Sequence, residues 1–228
     1  MSSSTEATEL RFSAGAAGGE VSGLLMLPSG ARFIHVLAHG AGAGMRHPFL
    51  EAVARALAGR QTGTLRYQFP YMERRGGRPD PPAVAAATVR AAVTEAARRA
   101  PGVPLVAGGK SFGGRMTSTA QADAPLPAVR GLVFLGFPLH PPGRPGEKRA
   151  EHLSAVGIPM LFLQGDRDEF ADLALLRPVI ERLGARATLH LIEGGDHSFK
   201  VLKRSGRTES DVMADLVETI VDWTGRLI

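Results

Sequence analysis

A serine with glycine two residues away on either side, Gly109-Lys110-Ser111-Phe112-Gly113, follows the apolar run VPLVA. The spacing Gly-x-Ser-x-Gly is that of a serine raised on a sharp strand-to-helix turn, where side chains at the two outer positions would crowd the reversal. A serine hydroxyl becomes a useful nucleophile when an imidazole takes its proton and a carboxylate fixes that imidazole's tautomer and steadies its charged form. Candidates for both partners lie downstream. Asp166-Arg167-Asp168-Glu169 follows IPMLFLQG, and Asp196-His197-Ser198-Phe199 follows ATLHLIEGG. Acyl chemistry also needs two backbone N–H groups to hold an oxyanion. Phe112, next after the serine, offers one. The glycine-rich stretch from His39 to Gly44 offers the other, with Ala41 the expected donor and Gly42 the alternative.

Gly109-Lys110-Ser111 also ends like a phosphate-binding loop, whose pattern is G-x-x-x-x-G-K-[ST]. Pro104 stands where the first glycine of that pattern belongs. Proline has no N–H to give a phosphate and a fixed φ, and the residues between it and Gly109 read as strand. The nucleophile reading therefore wins.

The other polar side chains divide by place. His39, His47, Tyr71 and His140 are the candidates to line a pocket. For His39 the stronger reading is that it orders the glycine-rich loop, and for His47 an alternative is a cap on the helix after Pro48. His35 and His190 fall inside strands and His152 in a helical stretch, and all three read as structural. Arg115, one helical turn past Ser111, and Arg66, Arg74 and Arg75 around the loop near residue 75 are candidates for an acidic substrate group, although loop arginines are more often simply solvated. The seven histidines are too dispersed for a zinc site, and the chemistry requires no metal or organic cofactor.

These residues need a scaffold that gathers them. Short apolar, β-branched runs alternate with alanine-rich amphipathic ones, the pattern of a mostly parallel sheet covered by helices on both faces. Strands are expected at 9–14, 20–28, 31–39, 62–69, 103–109, 130–137, 158–166 and 187–195. Helices are expected from Pro48 to Gly59, over 82–100, from the elbow to about Gln121, around Pro178, and over 211–223 with Val212, Leu216, Ile220 and Trp223 on one face. In open sheets of this kind ligands bind past the carboxyl ends of the strands, where Ser111, Asp168 and His197 all fall.

The 228 residues with 44% hydrophobic content suit a single domain, 9–228, behind a polar tail, 1–8. There is no cysteine, hence no disulfide and no thiolate chemistry. The N-terminus lacks the basic and apolar regions of a leader, and no apolar stretch is long enough to span a bilayer; the expectation is a cytoplasmic protein without a membrane partner. The formal charge of +5 comes from arginines scattered along helices and loops with few aromatics beside them. That is not the footprint of a nucleic-acid binder.

Taken together, LAHGAGAGMRHPF, RYQFPYMERRGGRPDPP, GGKSFGGRM, FPLHPPGRPGEKR, LQGDRDEF and EGGDHSF resemble the small, capless α/β hydrolases of the dienelactone-hydrolase-like group, over nearly the whole chain. More narrowly they resemble a subfamily that includes a subunit of a chromatin-acetylating complex. Serine replaces the cysteine nucleophile of dienelactone hydrolase itself. The resemblance implies an α/β-hydrolase fold without a large cap, a small-molecule acyl substrate, and the chain order serine, acid, histidine. It favours Asp168 over Asp166, because such families usually place the acid three residues after the glycine that ends the strand. The triad so implied is Ser111, Asp168 and His197, with loops 70–81 and 137–149 left to shape the pocket. The alternative is a hydrolase-shaped interaction module with little turnover.

Overall fold

A computed structural model describes residues 6–227; most of the expected polar tail, residues 1–5, lies outside the described residues, as does Ile228. Eight strands form one sheet: β1 (Thr8–Ser13), β2 (Glu20–Met26), β3 (Phe33–Ala38), β4 (Thr62–Tyr67), β5 (Leu105–Lys110), β6 (Val129–Leu135), β7 (Met160–Gly165) and β8 (Ala187–Ile192). Their spatial order is β1-β2-β4-β3-β5-β6-β7-β8. The first hairpin is antiparallel and joins β4 in the same sense, and every later pairing is parallel. This is the α/β-hydrolase fold, with no large cap over the strand ends.

Alternation along the strands explains the two layers. Ile34, Val36 and Ala38 of β3 face a core that includes Val89, Val93, Met116 and Leu176, while Leu37 faces another that includes Leu50, Val53, Leu216 and Trp223. Helices α3 (Pro82–Arg99), α4 (Phe112–Asp123) and α5 (Leu173–Leu183) therefore cover one face, and α1 (Pro48–Ala58) and α6 (Glu209–Gly225) the other. β3 is buried at every position because both its faces are covered.

The helix ends follow local chemistry. His47 Nδ1 accepts from the Phe49 N–H and Pro48 opens α1, where a missing N–H costs nothing. Thr208 and Asp211 form a reciprocal capping box at the start of α6. One expectation needs correction. The segment 70–81 is not all loop, since the short helix α2 (Pro70–Glu73) begins it. The helical stretch expected around His152 is a 3-10 helix, Lys148–Ala155. Helix α5 runs from Leu173 to Leu183 with Pro178 inside it. Among the described residues, no helix is long and apolar enough to cross a membrane.

His35 of β3 is fully buried, and neither ring nitrogen has a hydrogen-bond partner among the described residues. Burial lowers its pKa to about 4, so the fold refuses a proton that the unfolded chain accepts below about pH 6.5. Its contribution is neutral above pH 6.5 and becomes a growing deficit as pH falls toward 4, about 3 kcal/mol in all. Replacing His35 with Leu is expected to raise the urea midpoint at pH 7, by removing two unpaired buried nitrogens, and to flatten the loss of stability between pH 6.5 and 4. Urea titrations of both proteins at several pH values check this; a variant with the wild-type acid dependence would show that His35 is not the group responsible.

Candidate active site

Ser111 sits between β5 and α4 with φ +50° and ψ −115°, a strained combination for a residue with a side chain, and one that costs on the order of 1–3 kcal/mol. The strain persists because the turn is pinned against the end of β3. A Cβ on Gly109 would stand 2.2 Å from the Ala38 carbonyl oxygen, and one on Gly113 would stand 2.6 Å from that of His39. Only glycine fits at either place, so the two glycines of the motif serve packing between strands as well as the turn itself.

The strained turn presents Ser111 to His197. The Ser111 hydroxyl lies 2.9 Å from His197 Nε2, and His197 Nδ1 lies 2.7 Å from Asp168 Oδ2. The Asp168 side chain is fully buried and that of His197 is 18% exposed. Three donors converge on the Asp168 carboxyl: the His197 ring, the side-chain amide of Gln164, and the Phe170 N–H at 2.8 Å. With the carboxyl an acceptor, Nδ1 carries the imidazole proton and Nε2 is left to accept from Ser111. Asp166, the other carboxyl weighed from the sequence, is exposed.

His197 rides on a turn that Asp196 organises. Asp196 Oδ1 accepts from the N–H groups of Ser198 and Lys200, and the Phe199 N–H donates to the Asp196 carbonyl. Phe199 takes φ +64° in this turn. Phe170 lies against the His197 ring at 4.2 Å between centroids.

The glycine-rich loop after β3 is held from behind. His39 is buried; its Nδ1–H donates to the Gly40 carbonyl at 2.7 Å and its Nε2 accepts from the Phe69 N–H at 3.1 Å. Burial lowers its pKa to about 4, which keeps the ring neutral and able to make both bonds. The Gly42 N–H donates to the Tyr71 hydroxyl at 2.9 Å. The Gly42 N–H, the alternative donor weighed from the sequence, is thus engaged within the chain. The Ala41 N–H makes no hydrogen bond among the described residues, and the Phe112 N–H opens α4, where no intrahelical partner exists.

A cavity of about 700 Å³ opens at this point, lined by Gly40, Ala41, Ser111, His197 and residues of α1 and α6. Of the four residues expected to line a pocket, His47 does so. His39, Tyr71 and His140 do not. His39 and Tyr71 support the loop from within, and His140 ties two chain segments, its Nε2 accepting from the Asp172 N–H at 2.9 Å. Nor do loops 70–81 and 137–149 contribute to the lining; the space lies on the α1 and α6 side of the sheet. Arg66, Arg74, Arg75 and Arg115 are also absent from it, and Arg74 is paired with Asp80 at 2.7 Å. A second serine–histidine pair, Ser118 and His152 at 2.8 Å, joins α4 to the 3-10 helix, with the Ser118 hydroxyl donating to the Arg115 carbonyl and, among the described residues, no carboxylate on the ring. It reads as packing. Among the described residues no group of three His, Cys, Asp or Glu side chains is disposed to hold a metal ion.

The sequence pattern of the alpha/beta hydrolase domain matches residues 31–225. The chain belongs to that family. Solved structures that it resembles include a lidless alpha/beta serine hydrolase of Xanthomonas campestris, at 22% identity over 96% of this chain and 95% of the other with a TM-score of 0.75. Dienelactone hydrolase of Anabaena variabilis follows at 21% identity, 97% and 98% coverage and a TM-score of 0.74. The esterase domain of a Rhodothermus marinus protein is similar at 15% identity, 97% and 98% coverage and a TM-score of 0.68. At such identities the likeness is one of fold.

Within this alpha/beta hydrolase, three residues near Ser111, His197 and Asp168 escaped the sequence reading. Gln164, fully buried at the end of β7, bridges the Asp168 carboxyl and the Phe137 N–H. Phe170 packs on the imidazole, and its place two residues after Asp168 was the available signal, since a carboxylate commonly accepts the N–H two residues on. Lys110, set aside with the phosphate-loop reading, donates its ammonium to the His197 carbonyl and lies 5.4 Å from the centre of the Phe199 ring. It makes no ion pair among the described residues. Burial pulls its pKa down to about 8, against the opposing pull of Asp168 and Asp196.

A charge held there at neutral pH costs stability below pH 8, and the cost shrinks as pH rises from 8 to 10.5. Lys110→Met is therefore expected to melt no lower than the parent at pH 7, and up to about 4 °C higher, with the difference narrowing above pH 8. The same variant should show faster amide exchange in residues 194–200, whose tether it removes. Scanning calorimetry and exchange mass spectrometry check the pair of effects; a destabilised variant with unchanged exchange would contradict both.

Proposed function

We propose that the chain is a serine hydrolase that cleaves an ester, thioester or similar acyl bond of a small or accessible substrate, through an acyl-enzyme. The observation that carries this reading is the unbroken line from Ser111 through His197 to Asp168, at 2.9 and 2.7 Å, opening on a cavity beside the free Ala41 N–H. Ser111 attacks the substrate carbonyl as His197 Nε2 takes the hydroxyl proton. The N–H groups of Ala41 and Phe112 receive the oxyanion. The imidazolium, steadied by Asp168, returns its proton to the leaving alcohol or thiol, and a water repeats the sequence to release the acid. The alpha/beta hydrolase neighbours described as a serine hydrolase and an esterase support the class. Membership of the subfamily that includes a chromatin-acetylating-complex subunit, and a cytoplasmic location, belong to the same proposal and add nothing to the chemistry.

Ser111→Ala is expected to lower p-nitrophenyl ester or acyl-thioester hydrolysis by at least about a thousandfold, because the triad acts as a unit. A fluorophosphonate probe should label the wild-type protein at Ser111 and leave the variant unlabelled. Wild-type protein that stays unlabelled while folded would instead place the chain with hydrolase-shaped interaction modules.

A further inference from the structure

Beyond the reacting atoms the cavity continues between α1 and α6. Leu50, Val212 and Leu216 line it from the core that packs these helices on the sheet. The rings of Phe49 and Phe199, stacked at 5.7 Å between centroids, both face it. Ala52, exposed on α1, and Met213, half-buried on α6, line it from the outer sides of the two helices. The charged lining residues other than Lys110 are Lys200 and Glu209, both exposed and of opposite sign, so the space offers no net charge to a ligand's far end. The two helices pack against one another. The mostly apolar space that opens beside them, the slot, suits an aliphatic chain.

We infer that this slot binds the acyl chain of the substrate, an unbranched aliphatic chain of medium length, and that Ala52 and Met213 set the length accepted. The inference rests on Ser111 being the nucleophile that is acylated. One end of the space holds Ser111, Ala41 and His197, so an acyl carbon bound to the serine directs its chain toward the helices. The volume lies within the range that encloses a small ligand, and the lining is mostly apolar as such sites require. Each methylene that enters leaves water, which should raise kcat/KM about fourfold per carbon until the slot is full.

The test has two arms. In the first, wild type, Ala52→Trp and Met213→Trp hydrolyse p-nitrophenyl acetate, butyrate, hexanoate, octanoate and decanoate. Wild type is expected to prefer hexanoate or octanoate over acetate by at least tenfold, and each tryptophan variant to move the preference to shorter chains. Ala52 is exposed, so its variant should fold, and circular dichroism checks that both do. In the second, sodium octanoate is titrated calorimetrically into Ser111→Ala and into Ser111→Ala with Ala52→Trp. Binding to the first and its loss in the second support the slot without any turnover. Ester hydrolysis with a flat chain-length profile and no octanoate binding would overturn the slot and leave the hydrolase reading standing. Octanoate binding without hydrolysis of any ester would support an aliphatic-chain site but overturn its assignment to a substrate's acyl chain, together with the hydrolase reading. The absence of both octanoate binding and a chain-length preference overturns the inference.

Discussion

The buried carboxyl of Asp168 has to be met by donors, because a carboxylate removed from water without partners is too costly to keep. Gln164, the Phe170 N–H and the His197 ring meet it. Each of these bonds also does something for its donor. The bond to His197 fixes the tautomer and leaves Nε2 facing Ser111, the bond from Phe170 closes the turn after β7, and Gln164 links that turn to the segment after β6. The need of one buried group thus aligns three neighbouring strand ends.

The rest of the site is built around that alignment at some cost to stability. Ser111 and Phe199 both hold positive φ, and Lys110 keeps a largely enclosed ammonium against the His197 carbonyl. Such features survive where surrounding packing over-determines them. Here the sheet supplies that packing: the glycines beside Ser111 sit against β3, and the stacked ring of Phe49 backs Phe199. Both strained residues lie past strand ends, while β3, buried throughout, carries its own cost in the middle of the sheet through the His35 ring.

Helices α1 and α6 serve two purposes at once. Their inner sides complete one core layer through Leu50, Val53, Leu216 and Trp223, and their flanks bound the cavity through Pro48, Ala52, Val212 and Met213. A change in how these helices pack would alter both stability and the space beside Ser111. The opposite layer, α3 to α5, carries no such double duty, since none of its residues lines that cavity.

Local features of the chain made much of this legible. The alternation of apolar runs with alanine-rich segments, the Gly-x-Ser-x-Gly spacing, and an acid and a histidine each just past an apolar run are short-range patterns, and they put Ser111, His197 and the two candidate acids Asp166 and Asp168 at one end of a sheet, with the family resemblance favouring Asp168. The pocket was misplaced. Loops 70–81 and 137–149 were the long connections, but where empty space remains depends on how far α1 and α6 stand apart, which no local pattern encodes. The roles of His39, Tyr71 and His140 were hidden for the same reason, since their partners Phe69, Gly42 and Asp172 lie 30, 29 and 32 residues away from them in sequence. The sequence by itself determined the strand and helix periods and the chemical types gathered at the strand ends, because these depend on neighbours along the chain. Tertiary structure alone decided which carboxyl reaches the imidazole, which N–H stays free and where the cavity lies, because each is a matter of distance between segments remote in sequence.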